Sequence, residues 1–105
     1  MNAVDRVLDA LNAHDLDAFV ACYAPDATIE DGHDQVAACG HDELRARFGP
    51  MFELHPDIRV TPGWRTEIGE FVIEEETVTG RGEPHRHVAV YLVRDGLIAR
   101  ERLIS

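Results

Sequence analysis

The sequence predicts an α+β fold in which N-terminal helices cover one face of a strongly curved, mostly antiparallel sheet. Three observations predict it. Apolar residues recur at helical spacing through the first half of the chain, the period changes to alternation beyond Pro56, and Gly-containing turn sequences join the alternating segments. A chain of 105 residues makes one domain, residues 1–105. A strongly curved sheet wrapped around a helix leaves a cavity.

Val4, Val7, Leu8 and Leu11 stand at helical spacing with Asp5, Arg6, Asp9 and Asn12 around the rest of the turn, so the chain opens with an amphipathic helix. Asp15 can accept the free N–H groups of a second helix, on which Leu16, Phe19, Val20 and Tyr23 repeat and which Pro25 ends. Ala27 to Glu30 reads as a short strand, and the polar stretch from Asp31 to Gly40, with Gly32 inside it, reads as the longest loop. A third helix runs from Asp42 to Leu54, with Leu44, Phe48, Met51 and Phe52 on one side and a break or bend near Gly49-Pro50. Four antiparallel strands follow, through Ile58 to Trp64, Phe71 to Thr79, His87 to Val93 and Leu97 to Ile104. Their joints, Ile68-Gly69-Glu70, Gly80-Arg81-Gly82 and Arg94-Asp95-Gly96, have hairpin-turn chemistry.

With 45% hydrophobic and 29% charged residues the chain can bury a core without disulfide staples. Twenty acids against ten bases give a formal charge of -10, which repels phosphate backbones and anionic lipid headgroups and excludes nucleic acid as an expected partner. No apolar run approaches the roughly 18–20 residues that span a bilayer, and residues 1–10 carry charges where a signal peptide needs an apolar centre. No membrane partner and a cytoplasmic location are expected. Cys22 and Cys39 match neither a metal knuckle nor a redox pair and are expected to be reduced.

Leu11-Asn12-Ala13-His14-Asp15-Leu16-Asp17-Ala18-Phe19, continuing to Tyr23-Ala24-Pro25-Asp26-Ala27-Thr28-Ile29-Glu30-Asp31, resembles the opening of the nuclear transport factor 2-like superfamily. Val93-Arg94-Asp95-Gly96-Leu97-Ile98 is similar to the last hairpin of its SnoaL-like and ketosteroid-isomerase-like members, and Gly40-His41-Asp42-Glu43-Leu44 fits between the two. The resemblance implies a cone-shaped α+β barrel with an apolar pocket, often as a homodimer packed through the outer sheet face. It leaves function open, because this fold carries isomerases, cyclases, hydrolases, dehydratases and carriers. Asp31 falls where the isomerase branch has its catalytic carboxylate, but that branch's two oxyanion donors align with Val7 and Ala89. Without them the chain is not expected to be a ketosteroid isomerase.

The register of the last hairpin decides which side chains face the pocket. A two-residue Asp95-Gly96 turn groups Val88, Val90 and Leu92 with Ala99, Glu101 and Leu103. A three-residue Arg94-Asp95-Gly96 loop instead puts His85, His87, Ala89 and Tyr91 on that face, since a slip of one residue exchanges the faces. The resemblance favours the second. Asp31, Glu75 and Glu101 are then the acids available to His85 and His87, and a His beside a carboxylate suits proton transfer near neutral pH. The expected catalytic residues are Asp31 as base, His87 as acid or polariser and Glu101 as orienting group. Tyr23, Trp64, His85, Ala89 and Tyr91 are the expected ligand contacts.

The chemistry implied is proton abstraction beside a carbonyl, ring closure, or addition or loss of water on a small, mostly apolar molecule, with no cofactor. His85-x-His87 offers a metal pair as the alternative, but no metal is expected. The rival class is a non-catalytic ligand-binding or association module. The remaining histidines, His14, His33, His41 and His55, are expected to be solvated, and the Glu74-Glu75-Glu76 run is expected on a solvated or subunit-facing strand surface, with Glu75 on the face opposite its neighbours. Cross-strand ion pairs are expected for Arg86, Arg100 and Arg102. Val88, Val90, Leu92, Ile98 and Ile104 form the apolar outer face expected to bury in a homodimer.

Overall fold

The computed structural model describes residues 2–31 and 35–105. Gly32 and His33, expected in a polar loop, lie outside the described residues. Helix α1 (Ala3–Asn12) starts in a capping box, with the Asn2 side chain accepting from Asp5 N–H at 3.0 Å and the Asp5 carboxylate accepting from Asn2 N–H at 3.4 Å. Its apolar stripe, Val4, Val7, Leu8 and Leu11, is buried. Asp15 caps α2 (Leu16–Ala21) by accepting from Ala18 N–H at 3.0 Å. His14 joins the two helices at a φ of 56°. It is not solvated as expected, because its Nε2 meets the Ile58 carbonyl at 2.9 Å and its ring stacks on Phe52.

The second helix ends at Ala21, before Pro25, and the chain passes through Cys22 directly into β1 (Tyr23–Glu30). Pro25 is exposed within that strand, where pairing with the neighbouring strand is interrupted between Tyr23 and Thr28. Its missing N–H therefore breaks no ladder bond. The stretch expected to be all loop contains β2 (Val36–Cys39), which pairs antiparallel with Thr28 to Glu30. Its four residues, Val36, Ala37, Ala38 and Cys39, are all small or apolar, but Ala38 is the one that is buried, so this edge strand shows no alternating pattern. Helix α3 (Gly40–Leu54) runs through Pro50 without the expected break, burying Leu44 and Phe52. His41, also expected to be solvated, has its Nε2 2.9 Å from the Tyr23 carbonyl.

Strands β3 (Arg59–Ile68), β4 (Phe71–Thr79), β5 (His85–Arg94) and β6 (Leu97–Ile104) complete a six-stranded sheet in the order β2-β1-β6-β5-β4-β3. All neighbours are antiparallel except β1 and β6. The fold is α+β, a curled, mostly antiparallel sheet with edges at β2 and β3 and helices against its inner face. Asn12 ties α1 to β3, its amide donating to the Val60 carbonyl at 2.9 Å and accepting from Val60 N–H at 2.8 Å. Among the described residues no helix is long and apolar enough to cross a membrane.

Two register shifts set the faces. In β3, three steps from Pro62 to Arg65 oppose two from Glu76 to Glu74, so alternation restarts one residue later. In β6, Leu92 and Val93 face Arg100 and Ile98, leaving Ala99 as the extra residue. The β5–β6 turn is the two-residue type, with Arg94 paired to Leu97 and positive φ at Asp95 and Gly96. The inner face nonetheless groups His87, Ala89 and Tyr91 with Glu101 and Leu103, because the bulge at Ala99 reverses the parity that this turn alone would impose. The turn premise is corrected; the grouping it was invoked for is present, without Ala99.

The acid run is corrected too. Glu74 and Glu76 are buried at 0% and 3% exposure, on the face they share with Val72 and Val78. Glu75 points to the outer face, where it pairs with Arg86 at 2.6 Å.

The β4–β5 connection begins at Gly80, whose φ is 89° and whose absent Cβ would collide with the Asp57 carbonyl. Gly80→Ala is expected to cost about 2–4 kcal/mol, since both the left-handed backbone and the backbone clash oppose it. Urea denaturation checks this, and a cost below about 1 kcal/mol would show that the two segments separate freely.

Candidate active site

The helices and the inner sheet face enclose a cavity of about 550 Å³, within the size range of small-molecule sites. Leu8 and Leu11 of α1, Phe19 of α2, and Phe48 and Met51 of α3 supply one apolar wall. Ile58, Val60 and Val78 close the end near β3. The opposite wall is polar, with Tyr23 from β1, Glu76 from β4, His87 and Tyr91 from β5 and Glu101 from β6. Asp31, Arg47, Arg81, His85 and Ser105 line the cavity where it meets solvent.

Two hydrogen-bonded groups stand on the polar wall. In the first, Glu76 takes a bond at each oxygen, from His87 Nε2 at 2.8 Å on Oε1 and from the Tyr91 hydroxyl at 2.6 Å on Oε2. With Nε2 so engaged, the Nδ1 of a neutral His87 ring is an acceptor that has no partner among the described residues. In the second, the buried Tyr23 hydroxyl donates to Glu101 Oε1 at 2.6 Å. Burial pushes the Glu101 carboxyl up to about 7, with Glu76 adding to the rise, while the Tyr23 hydrogen bond and the nearby His87 and Arg47 oppose it. Near neutral pH this carboxyl exchanges a proton readily. Burial first, and the neighbouring carboxylates after it, hold both phenols, Tyr23 and Tyr91, protonated.

Glu74 lies behind Glu76. Its Oε2 accepts from Arg65 Nε at 2.6 Å, and Arg65 reaches on to Asp5 of α1 at 2.8 Å. Its Oε1 is buried with no donor reaching it. Burial and the hydrogen bond with Glu76 raise Glu74 to about 7, against the pull of Arg65. Burial also pushes Glu76 upward, but the bonds from His87, Glu74 and Tyr91 outweigh it and leave Glu76 below the ordinary carboxylate value.

Asp31, His87 and Glu101 thus line one cavity, but they do not bond to one another. His87 is held by Glu76, not by Glu101 or Glu75, and Glu101 is held by Tyr23. Asp31 stands at the rim, where its Oδ1 accepts from Gln35 N–H at 3.2 Å. Tyr23, Tyr91 and His85 line the cavity, with His85 at the opening, 3.3 Å from the Ser105 hydroxyl. Ala89 is buried between Glu74 and Leu103 and does not line it.

Trp64 is corrected as a ligand contact. It is 51% exposed and away from the cavity, because the β3 bulge reverses alternation just where the strand reaches it. Glu76 is the residue that sequence reasoning missed. The signal was its shared parity with Val72 and Val78 on one strand. Among the described residues no group of three or more His, Cys, Asp or Glu side chains is arranged to hold a metal ion.

The family model of the SnoaL-like domain matches residues 4–101. This chain belongs to the SnoaL-like family. No curated protein matches it. Among solved structures, it is similar to an uncharacterised cystatin-fold protein from Novosphingobium aromaticivorans, with a TM-score of 0.90, 24% identity and coverage of 98% of this chain and 95% of that one. A Sinorhizobium meliloti protein described as a candidate polyketide cyclase matches with a TM-score of 0.84 and 25% identity over 96% of this chain and 92% of that one. A protein of ketosteroid isomerase-like fold from Catenulispora acidiphila matches with a TM-score of 0.78 and 15% identity over 98% and 84%. The SnoaL-like chain has the nuclear transport factor 2-like fold.

The raised carboxyls make stability depend on pH with a definite sign. Glu74 and Glu101 each go from an ordinary 4.5 to about 7 in the folded state, so folding takes up protons between those values. Their contribution is fully present below about pH 4.5 and is lost as pH rises through about 7, at roughly 1.4 kcal/mol per pKa unit. Melting temperature is therefore expected to fall from about pH 5 to about pH 8. Glu101→Gln keeps the acceptor for Tyr23 and should flatten this decline, matching the parent near pH 5 and exceeding it by about 2–3 kcal/mol near pH 8. An unchanged slope would show that Glu101 ionises freely in the folded protein.

Proposed function

We propose that this SnoaL-like protein binds a small, mostly apolar organic molecule and moves a proton beside its carbonyl, the step shared by isomerisation, ring closure and loss of water. The observation that carries this reading is one cavity wall holding His87, oriented by Glu76, together with Glu101, whose carboxyl titrates near 7 beside Tyr23. In the forward step His87 Nδ1 takes the proton from the carbon next to the carbonyl. The freed electron pair forms the enol double bond, and the carbonyl oxygen takes the proton that Glu101 holds. In an unsaturated carbonyl compound, return of the His87 proton to the γ carbon of the conjugated enol, with the enol hydroxyl giving its proton back to Glu101, completes an isomerisation. Alternatively the enol carbon attacks a second carbonyl, whose oxygen takes the proton from His87 while the enol hydroxyl returns its own to Glu101, and a ring closes. All of this runs on side chains, without a cofactor.

A protonated Glu101 supplies the donor that Val7 and Ala89 cannot. Like any carboxyl kept neutral by burial, it stabilises a developing enolate where a charged group could not. Asp31 gives up the role of base in this scheme and stands as a polar rim residue. The polyketide cyclase description of the Sinorhizobium meliloti structure agrees with a ring-closing substrate. Cys22 and Cys39 are both free thiols, in keeping with a cytoplasmic setting.

The test is deuterium exchange from solvent into small cyclic ketones and 1,3-diketones, followed by proton NMR. Exchange is expected to fall at least about a hundredfold in His87→Ala and in Glu101→Gln. It is also expected to decline as pH rises through about 7, where Glu101 loses its proton. No acceleration over buffer across the panel, or equal acceleration by both variants, would sink the proton-transfer reading.

The outer sheet face supports a second feature, a homodimer. Ile68, Phe71 and Leu92 lie in one cross-strand row, with Ile73 beside Val90 in the next. Ile68, Phe71, Trp64 and Ile104 are 63%, 45%, 51% and 45% exposed. Ile98, expected on this face, is instead fully buried. Light scattering at micromolar concentration should give a dimer for the parent and a monomer for Phe71→Glu. A monomeric parent would remove the dimer.

A further inference from the structure

All ten basic side chains are arginine, in a chain of formal charge -10. Arg45, Arg65, Arg86, Arg94 and Arg100 each hold a carboxylate within 3.3 Å. Arg47 and Arg81 hold none among the described residues, yet both line the cavity where it opens. Arg47 stands on α3 with its guanidinium 5.9 Å from the Phe48 ring, near enough to Glu101 to act on its charge. Arg81 comes from the connection between β4 and β5. Arg59 likewise holds none, but it stands outside this cavity, so Arg47 and Arg81 are the two arginines at this opening that hold no carboxylate among the described residues.

We infer that the cavity takes an apolar organic acid, its carboxylate held at the mouth by Arg47 and Arg81 and its apolar body lying against Phe19, Phe48 and Met51. This inference rests on the small-molecule reading above and names the class of that molecule. The planar fork of arginine matches a carboxylate in two-pronged fashion, and the flat guanidinium over Phe48 stays available at its edges. A single negative charge suits the site better than two. The ionised Glu76 inside the cavity and the net charge of the whole chain both oppose a dianion. The acid group at the mouth also orients the ligand, so that the far end of its apolar body approaches His87 and Glu101.

The test is calorimetric titration of the intact protein near pH 7 with 2-naphthoate, 2-naphthamide and 2-naphthyl phosphate, at low and at high salt. The acid is expected to bind about tenfold more tightly than the amide, to compete with it for one site, and to lose that advantage in high salt. Arg47→Gln and Arg81→Gln, both at exposed positions, should each weaken the acid several-fold and leave the amide unchanged. Equal binding of acid and amide, or equal weakening of both by the variants, overturns the anion site and leaves the cavity reading standing. Tighter binding of the phosphate overturns the carboxylate assignment. If neither acid nor amide binds up to about 1 mM, the small-molecule reading falls and the inference falls with it.

Discussion

The position of β6 against β5 governs what the cavity contains, and one extra residue governs that position. The Asp95-Gly96 turn pairs Arg94 with Leu97, and uninterrupted pairing from there would turn Glu101 away from Tyr91 and toward the other face. Because Ala99 stands as a bulge, Glu101 pairs with Tyr91 and enters the interior with His87, while Ile98 goes to the core. The parallel pairing of β6 with β1 then brings Ile29 opposite Glu101 and Tyr23 opposite Ile98, so that the Tyr23 hydroxyl reaches Glu101. A small local irregularity thereby assembles residues from four strands around one void.

Having carboxyls inside a small core carries an electrostatic cost, and the molecule meets it by three different means. Glu76 is ionised and surrounded by donors from His87 and Tyr91. Glu74 is braced by Arg65, which also ties α1 to the sheet through Asp5, and burial together with the hydrogen bond to Glu76 raises its carboxyl to about 7. Glu101 has one hydrogen-bond donor among the described residues, and burial raises its carboxyl to about 7. This difference in environment separates the roles: the fully bonded carboxylate orients a histidine, and the poorly bonded one is left able to give up a proton. A buried charge with partial compensation destabilises the fold, so the pH dependence of stability arises in part at Glu101, the group that the proposed proton transfer also uses.

Much of the fold was legible because it rests on periodicity and capping. The stripe of Val4, Val7, Leu8 and Leu11, the Asp15 cap and the turn glycines act locally, through groups a few residues apart. Recognition of the opening segment and of the last hairpin identified the family that the SnoaL-like match over residues 4–101 bears out. Less was legible in the site. His87, Tyr23 and Glu101 were visible as candidates, but their partners were not, since Glu76 read as part of a charged run and Trp64 as an inward aromatic.

What the sequence determined by itself was the α+β class, the order of the three helices and of every strand except β2, the hairpin positions and the set of polar residues available to a pocket. These follow from interactions between near neighbours. The tertiary structure alone decided that His87 pairs with Glu76, that Tyr23 pairs with Glu101, that Trp64 faces outward and that β2 exists. Each of those depends on cross-strand register, and register is set by bulges and by the packing of the whole sheet against the helices. A shift of one residue leaves the local pattern of a strand intact while exchanging its two faces, so no local reading can choose between them.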